Sequence, residues 1–159
     1  MILLCVGNLH PFNRLVRAVD MWAINNPGTK IFAQIGQTEF SPDNIDSIKD
    51  FPTDEAREEK FKMADLLVCD LSIDLLLLAS KNQLPVLALP RLSIFGEESG
   101  IAQTNLAEHL LSDDFIRIAR DEAELQTMLS LPRKPLNSTA DNKPNSLKNN
   151  LIQTIREAG

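Results

Sequence analysis

The sequence predicts an α/β fold: a Rossmann-like parallel sheet with helices on both faces. Short apolar runs alternate with longer amphipathic stretches along the chain, which is typical of βα units whose helices cover a parallel sheet. The length of 159 residues is close to the commonest size for one compact domain. A hydrophobic fraction of 43% with 24% charged residues is that of an ordinary globular protein.

The apolar runs give the strands in order. Strands are expected at residues 2–6, 31–35, 65–69, 86–89 and 115–118, with a further short strand near residues 48–51 in an irregular segment, 37–53. The run at 86–89 follows a proline and predicts a buried strand. Residues 90–100 contain two glycines and are expected to form a loop.

Helices are expected between these strands. The first, residues 12–24, carries apolar side chains at helical spacing and ends at an Asn-Asn-Pro-Gly stop. Residues 54–63 are charged, residues 73–82 are apolar, and residues 102–111 are amphipathic. The helix at 121–129 begins with an acidic turn, which suits the helix dipole. Residues 1–131 then form the domain, 132–145 a linker, and 146–159 a C-terminal amphipathic helix with Ser146 as its cap.

The charge is unevenly distributed. Sixteen basic against 22 acidic side chains give a net charge of -6, which argues against a nucleic-acid partner. Residues 1–131 hold 11 basic and 20 acidic side chains, whereas residues 132–159 hold five basic and two acidic ones. The tail is therefore a basic segment on an acidic domain.

Targeting and cysteine patterns predict a cytoplasmic protein. No apolar run approaches the ~20 residues that cross a bilayer, and the start of the chain lacks a basic region and cleavage site. Cys5 and Cys69 each lie in an apolar run, where we expect small buried hydrophobic side chains rather than a disulfide or metal site.

Chemistry in such a fold is expected beyond the carboxyl ends of the strands, where helix N-termini present unpaired N–H groups. The segments that meet this condition are residues 7–10, 36–37, 70–74 and 90–104. The sequence contains no GxGxxG, Walker A or GxSxG motif and no histidine pair at metal spacing. Cofactor-driven redox chemistry, P-loop phosphoryl transfer and triad hydrolysis therefore lack support.

Several short segments occur in one order along the chain: residues 6–8 (VGN), 11–20 (PFNRLVRAVD), 34–36 (QIG), 64–68 (ADLLV), 85–86 (PV), 90–91 (PR), Gln103 and 106–108 (LAE). Together these segments resemble the small donor subunits of bacterial polysaccharide-synthesis glycosyltransferases. That family belongs with the C-terminal, donor-binding half of GT-B glycosyltransferase family 28.

The resemblance implies the fold of the C-terminal half of a GT-B enzyme and metal-independent binding of a UDP-sugar, with no cofactor. It also implies transfer to a lipid-linked acceptor held by a separate membrane-associated subunit. The positions carried over as donor-binding are Gly7, Asn8, Gly36, Ser72, Asp74 and Gln103.

The same resemblance shows where this chain departs from the family. The family motif SHAGxGT falls on residues 69–75, so its histidine becomes Asp70 and its two glycines become Ser72 and Asp74. Glycines let backbone N–H groups approach a diphosphate closely. We expect Ser72 to cap the following helix and Asp74 to turn onto its N–H groups, which would fill the anion site with a carboxylate. The sequence thus indicates that donor binding is weakened or lost, as in a pseudoenzyme.

The sequence leaves two alternative roles open for each of several side chains. Asp70 is either a general base or a turn cap, and His10 either faces a ligand or lies exposed in a loop. Gln103 either contacts a sugar or simply opens a helix. Glu97 and Glu98 either form the solvated acidic tip of the loop 90–100 or belong to a loop that covers a ligand.

The functional expectation is a glycosyltransferase-like subunit in cell-surface polysaccharide biosynthesis. The alternative is a non-catalytic partner or regulatory module for a membrane-associated glycosyltransferase subunit. In the second case residues 146–159 dock on that subunit at the inner face of the membrane, whereas in the simpler case the same helix packs on its own domain.

Overall fold

A computed structural model describes residues 1–7, 10–97, 103–110 and 115–132, together with 149, 151–153 and 156–157 near the C-terminus. Asn8, Glu98 and the first residue of the predicted helix 102–111, Ala102, lie outside the described residues. So does the predicted linker apart from Pro132, and so do Leu147 and Ile155 of the predicted C-terminal helix.

Six parallel strands form one sheet in the order β3-β2-β1-β4-β5-β6. The strands are β1 (Ile2–Cys5), β2 (Ile31–Gln34), β3 (Asp46–Ile48), β4 (Leu66–Cys69), β5 (Val86–Ala88) and β6 (Ile116–Ile118). The helices are α1 (Asn13–Ile24), α2 (Asp54–Met63), α3 (Ile73–Lys81), α4 (Gln103–Leu110) and α5 (Glu122–Ser130). This strand order is that of a Rossmann-like sheet, and it confirms the predicted fold class.

Apolar side chains alternate between the two faces of the sheet because successive strand residues point in opposite directions. Ile2 and Leu4 pack with α1 and α5 in one buried cluster. Leu3 and Cys5 pack in the other cluster, which includes residues of α2, α3 and α4. Both faces are therefore covered by helices.

The register of the central strands brings their carboxyl ends to one level. Cys5 of β1 aligns with Gln34 of β2 and with Cys69 of β4. The crossover direction of the sheet reverses between β1 and β4, which is where ligands bind in open α/β sheets. The residues just after these strands therefore define the edge at which a site is expected.

Side-chain caps begin two of the helices. The Thr53 hydroxyl accepts the Ala56 N–H at 3.1 Å at the start of α2, and Asp121 accepts the Glu124 N–H at 2.8 Å at the start of α5. The acidic turn expected at the second of these helices is thus also its cap.

Two elements differ from the sequence prediction. The short strand lies at Asp46–Ile48 instead of near residues 48–51, because its position is set by pairing with β2. Phe51, which the prediction placed in the strand, packs its ring 6.3 Å from that of Phe32. The loop after β5 contains a short 3-10 turn, Ser93–Phe95.

The described part of the C-terminal segment is helical, and Leu151 is 1% exposed among core side chains that include Leu106 and Leu110. Ile152, the next residue, is 38% exposed. The apolar stripe therefore packs on the domain at Leu151. No helix among the described residues is long and apolar enough to cross a membrane.

Candidate functional site

The carboxyl edge formed by β1, β4 and β5 brings together four residues that are far apart in sequence. Gly7 follows β1, Asp70 follows β4, Arg91 follows β5, and Gln103 begins α4. Gly7, Asp70 and Gln103 were expected from the sequence to share a site, and the structure places them in contact. Arg91 joins them as the group that the sequence interpretation missed.

The Asp70 carboxylate lies at the centre of this group and its side chain is 1% exposed. Its Oδ1 accepts the Gly7 N–H at 3.3 Å. Its Oδ2 accepts three donors: the Ser72 hydroxyl at 2.8 Å, Arg91 Nε at 2.6 Å and Gln103 Nε2 at 3.3 Å. A buried carboxylate with this many donors is arranged as a structural ion pair, and it is not open to a substrate as a general base would be.

The Arg91 guanidinium fills the space beside Asp70, and its side chain is 5% exposed. Nη1 donates to the carbonyl oxygens of Pro11 and Glu97 at 3.1 and 2.9 Å, and Nη2 donates to that of Gly7 at 3.2 Å. The guanidinium carbon also lies 4.7 Å from the centre of the Phe12 ring. The signal available in the sequence was the Pro90–Arg91 pair shortly after the buried strand β5, at the edge where ligands bind.

Both the oxygen and the nitrogen of the Gln103 side-chain amide form hydrogen bonds within the domain. Its Oε1 accepts the backbone N–H groups of Leu71 and Arg91, each at 3.0 Å, while its Nε2 donates to Asp70. The backbone N–H groups of Gly7, Leu71 and Arg91 at this edge thus all have side-chain acceptors. These are the kind of donors that a diphosphate would need.

Ser72 occupies the N-cap position of α3, as expected, but its side chain makes no capping hydrogen bond. The hydroxyl instead donates a hydrogen bond to the buried Asp70 carboxylate. Asp74 is exposed, and the expectation that it turns onto the helix N–H groups is wrong. The exposed Asp74 carboxylate stays hydrated. The carboxylate that occupies this edge of the sheet is therefore that of Asp70.

Residue 7 must be a glycine because the turn between β4 and α3 lies very close to its backbone. A Cβ atom on Gly7 would lie 2.3 Å from Ser72 Oγ and 3.0 Å from Asp70 Oδ2. The glycine that the family resemblance assigned to donor binding here makes room for the protein's own polar side chains.

The remaining site predictions lie around this network. Gly36, with φ of 54°, donates its N–H to the Lys49 carbonyl and extends the pairing of β2 with β3. His10 is half-buried in the segment that joins β1 to α1.

A polar cavity of about 360 Å³ opens beside the network, between β1, β2 and the N-termini of α2 and α3. Its charged lining consists of Asp50, Asp54, Asp74 and Arg57. Three carboxylates and one guanidinium give this cavity a negative balance, which disfavours a diphosphate. No cluster of three metal-ligating side chains is present in the described ranges.

A second ion pair holds the loop after β5 against α1. Arg14 donates from Nε and Nη2 to the two carboxylate oxygens of Glu97, each at 3.0 Å, and Glu97 Oε2 also accepts the Leu92 N–H. Arg14 further reaches Glu122 and the Pro90 carbonyl. Burial opposes the charge, yet the contacts with Glu97 and Glu122 raise the pKa of Arg14.

The expectation of a solvated acidic tip is therefore wrong for Glu97, which is buried. The local sequence suggested exposure because glycines flank the acidic pair, whereas the partner that buries Glu97 lies on α1, 83 residues away in sequence.

The fold resembles a solved structure titled "Crystal Structure Analysis of the Glycotransferase of kitacinnamycin". The match has a TM-score of 0.61 at 15% identity and covers 99% of this chain. The two proteins therefore share an α/β fold. This chain spans 42% of the length of that protein. No family model matches the sequence, and no curated protein matches it.

Proposed function

We propose that this chain is a glycosyltransferase-like subunit in cell-surface polysaccharide synthesis that has lost UDP-sugar binding and acts as a non-catalytic partner of a catalytic subunit. The observation that carries the proposal is the buried Asp70–Arg91 ion pair. It occupies the carboxyl edge where the family resemblance locates the donor diphosphate.

Donor binding at this edge would require the protein to give up interactions that it already makes. A diphosphate would compete with Asp70 and Gln103 for the N–H groups of Gly7, Leu71 and Arg91. Separating Arg91 from Asp70 leaves a buried charge without its partner, which costs about 3–5 kcal/mol. Like charges ~4 Å apart in an effective dielectric near 20 repel by about 4 kcal/mol, so Asp70 itself opposes an incoming phosphate.

In this proposal the partner is a membrane-associated glycosyltransferase subunit, and the chain acts at the cytoplasmic face of the membrane. The proposed contact is the exposed side of the helical residues 151–153 and 156–157 near the C-terminus, since Leu151 is already used by the domain. Ile152, Gln153 and Arg156 are exposed on this helix. Ile152 offers an apolar group and Arg156 a basic group to an acidic or apolar surface of the partner.

Isothermal titration calorimetry tests the loss of donor binding. We expect no heat above the dilution control when UDP or UDP-GlcNAc is titrated to millimolar concentration. A saturable heat with a Kd below ~1 mM would contradict the proposal and favour a donor-binding enzyme.

Co-purification with the glycosyltransferase subunit of the native host tests the partner role. We expect Ile152→Asp with Arg156→Glu to abolish the complex while the thermal stability of the isolated chain stays unchanged. Glu59→Arg, an exposed position on α2, serves as the control for altered surface charge. A complex unaffected by the two helix substitutions would refute docking through this helix.

A further inference from the structure

Residues 90–97, which follow β5, are held at both ends by ion pairs. Near the first end, Arg91 pairs with Asp70, with 2.6 Å between Nε and Oδ2. At the other end, Glu97 pairs with Arg14 of α1, with 3.0 Å between Oε2 and Nη2. We call this segment the strap, the Asp70–Arg91 contact the inner pair, and the Arg14–Glu97 contact the outer pair.

Each pair also binds the backbone at the opposite end of the strap. Arg91 of the inner pair donates from Nη1 to the Glu97 carbonyl oxygen at 2.9 Å. Arg14 of the outer pair donates from Nη2 to the Pro90 carbonyl oxygen at 2.8 Å. The Glu97 carboxylate that accepts from Arg14 also accepts the Leu92 N–H at 3.0 Å. Neither end of the strap can therefore move away without breaking contacts of both pairs.

The two guanidinium groups also share the buried ring of Phe12. The ring centre lies 4.7 Å from the guanidinium carbon of Arg91 and 5.3 Å from that of Arg14. Arg91 further donates to the carbonyl oxygens of Gly7 and Pro11, in the segment that joins β1 to α1. Contacts of a cation with an aromatic face stabilise both partners when they are shielded from water. The inner and outer pairs are thus connected through the ring as well as through the strap.

Opening one end of the strap alone would leave poorly hydrated charges without their partners. If only the Glu97 end moved away, Arg14 would lose its carboxylate and Arg91 would lose a carbonyl acceptor. If only the Arg91 end moved away, the buried carboxylate of Asp70 would lose its guanidinium. Separating one partner from a buried ion pair is strongly unfavourable unless water reaches the remaining charge. Opening of both ends together, as one local unit, is therefore favoured over opening of either end alone.

We propose that the strap opens and closes as one cooperative unit, and that the outer pair thereby controls whether Asp70 and Arg91 fill the edge of the sheet. Arg14 and Glu97 are positioning residues in this device, because they act on the edge only through the strap and Arg91. When the strap is open, the Gly7 N–H and the Arg91 guanidinium face water. The proposal goes beyond the loss of donor binding, since cooperative opening is independent of whether the chain binds a donor.

Hydrogen exchange of the full chain, followed by NMR, tests this device with Glu97→Gln. The substitution removes the charge of the outer pair and keeps the shape of the side chain and the backbone carbonyl. We expect the protection factor of the Leu92 N–H, in the strap, to fall about 10-fold or more. The Gly7 N–H and the Arg91 Nε–H, which both donate to Asp70, should lose protection by the same factor.

Glu122→Gln is the matched control for Glu97→Gln. Glu122 also pairs with Arg14, but it lies outside the strap and its side chain is 43% exposed. This variant should leave the protection of the Leu92 and Gly7 N–H groups unchanged. The Leu4 N–H, in the central strand β1, reports unfolding of the whole domain and should keep its protection in both variants.

Three results would overturn the proposal. If Glu97→Gln lowers protection at Leu92 and leaves Gly7 and the Arg91 Nε–H unchanged, the two pairs open independently. If the Leu4 N–H loses protection by the same factor as Leu92, the strap opens only when the whole domain unfolds. If none of these groups responds to Glu97→Gln, the outer pair does not hold the strap closed.

Discussion

Arg91 Nε donates to Asp70 Oδ2 at 2.6 Å, and both side chains are almost completely buried. The pair joins the end of β4 to the loop after β5 at the point where the sheet reverses its crossover direction. A buried ion pair is expensive to break because removing one partner leaves the other charge without compensation. This relationship supports the claim that the edge is occupied by the protein itself.

Asp70→Asn should lower the free energy of unfolding by about 3–5 kcal/mol, because the neutral amide leaves the Arg91 charge buried and uncompensated. Asp74→Asn is the matched control, since Asp74 is an exposed aspartate in the adjacent turn of α3. Its effect should stay within about 0.5 kcal/mol. Urea denaturation of both variants measures the difference. Equal effects of the two substitutions would show that the Asp70–Arg91 pair contributes little.

Gly7→Ala should destabilise the protein by about 1–3 kcal/mol, because the added Cβ meets Ser72 Oγ at 2.3 Å. Adding Ser72→Ala to this variant should recover part of the loss, since it removes the atom in closest contact. Gly28→Ala is the control, because a Cβ there meets no atom within 4 Å. Thermal denaturation provides the comparison. A Gly7→Ala variant as stable as Gly28→Ala would mean that the β4–α3 turn can move away from β1.

Stability should fall above pH 9 because of the two buried thiols. Burial raises the pKa of Cys5 and of Cys69 above the ordinary value of 9.0. Below pH 9 the thiols are protonated in both states, whereas above it the unfolded chain releases protons that the folded chain retains. Each thiol then lowers the free energy of unfolding by about 1.4 kcal/mol in total between pH 8 and 10, and by about 1.4 kcal/mol per pH unit at higher pH.

Urea denaturation between pH 8 and 10 checks this slope. The protein has no tyrosine, which removes one other group that titrates in this range. The variant with both Cys5→Ala and Cys69→Ala should show a correspondingly smaller dependence on pH, whatever its absolute stability. The same slope in the wild type and in this variant would rule out the thiols as the cause.

Leu151→Ala should lower the free energy of unfolding by about 2 kcal/mol or more, because Leu151 is buried in the core beside α4. Ile152→Ala, at the exposed neighbouring position, should change it by no more than about 0.5 kcal/mol. The comparison by urea denaturation separates packing on the domain from docking on a partner. Equal, near-zero effects would mean that the C-terminal helix is not anchored to the isolated chain.

The fold could be predicted from the sequence because buried parallel strands appear as short apolar runs, and β1, β2, β4 and β5 have this pattern. The edge strand β3 was displaced in the prediction because its sequence is polar and its position depends on pairing with β2. The local sequence pattern therefore predicted the elements with strong hydrophobic periodicity. The position of the remaining strand, β3, is set by tertiary pairing.

The site could be predicted only in part. Asp70, Ser72 and Gln103 were selected through the family resemblance, within segments at strand and helix ends, and they form one network. Arg91 and Glu97 were missed as functional or structural groups, because their partners are 21 and 83 residues away in sequence. Which carboxylate turns inward, Asp70 or Asp74, depends on Arg91, and no local pattern reveals that.

The most direct test of the occupied edge is an amide chemical-shift titration of the full chain with UDP-GlcNAc. The reporters are the N–H groups of Gly7, Leu71 and Arg91, which donate to Asp70 or Gln103 in the structure. We predict that their resonances do not shift up to millimolar ligand. Saturable shifts at these three amides, with a Kd below ~1 mM, would contradict the proposal that the protein's own side chains occupy the donor site.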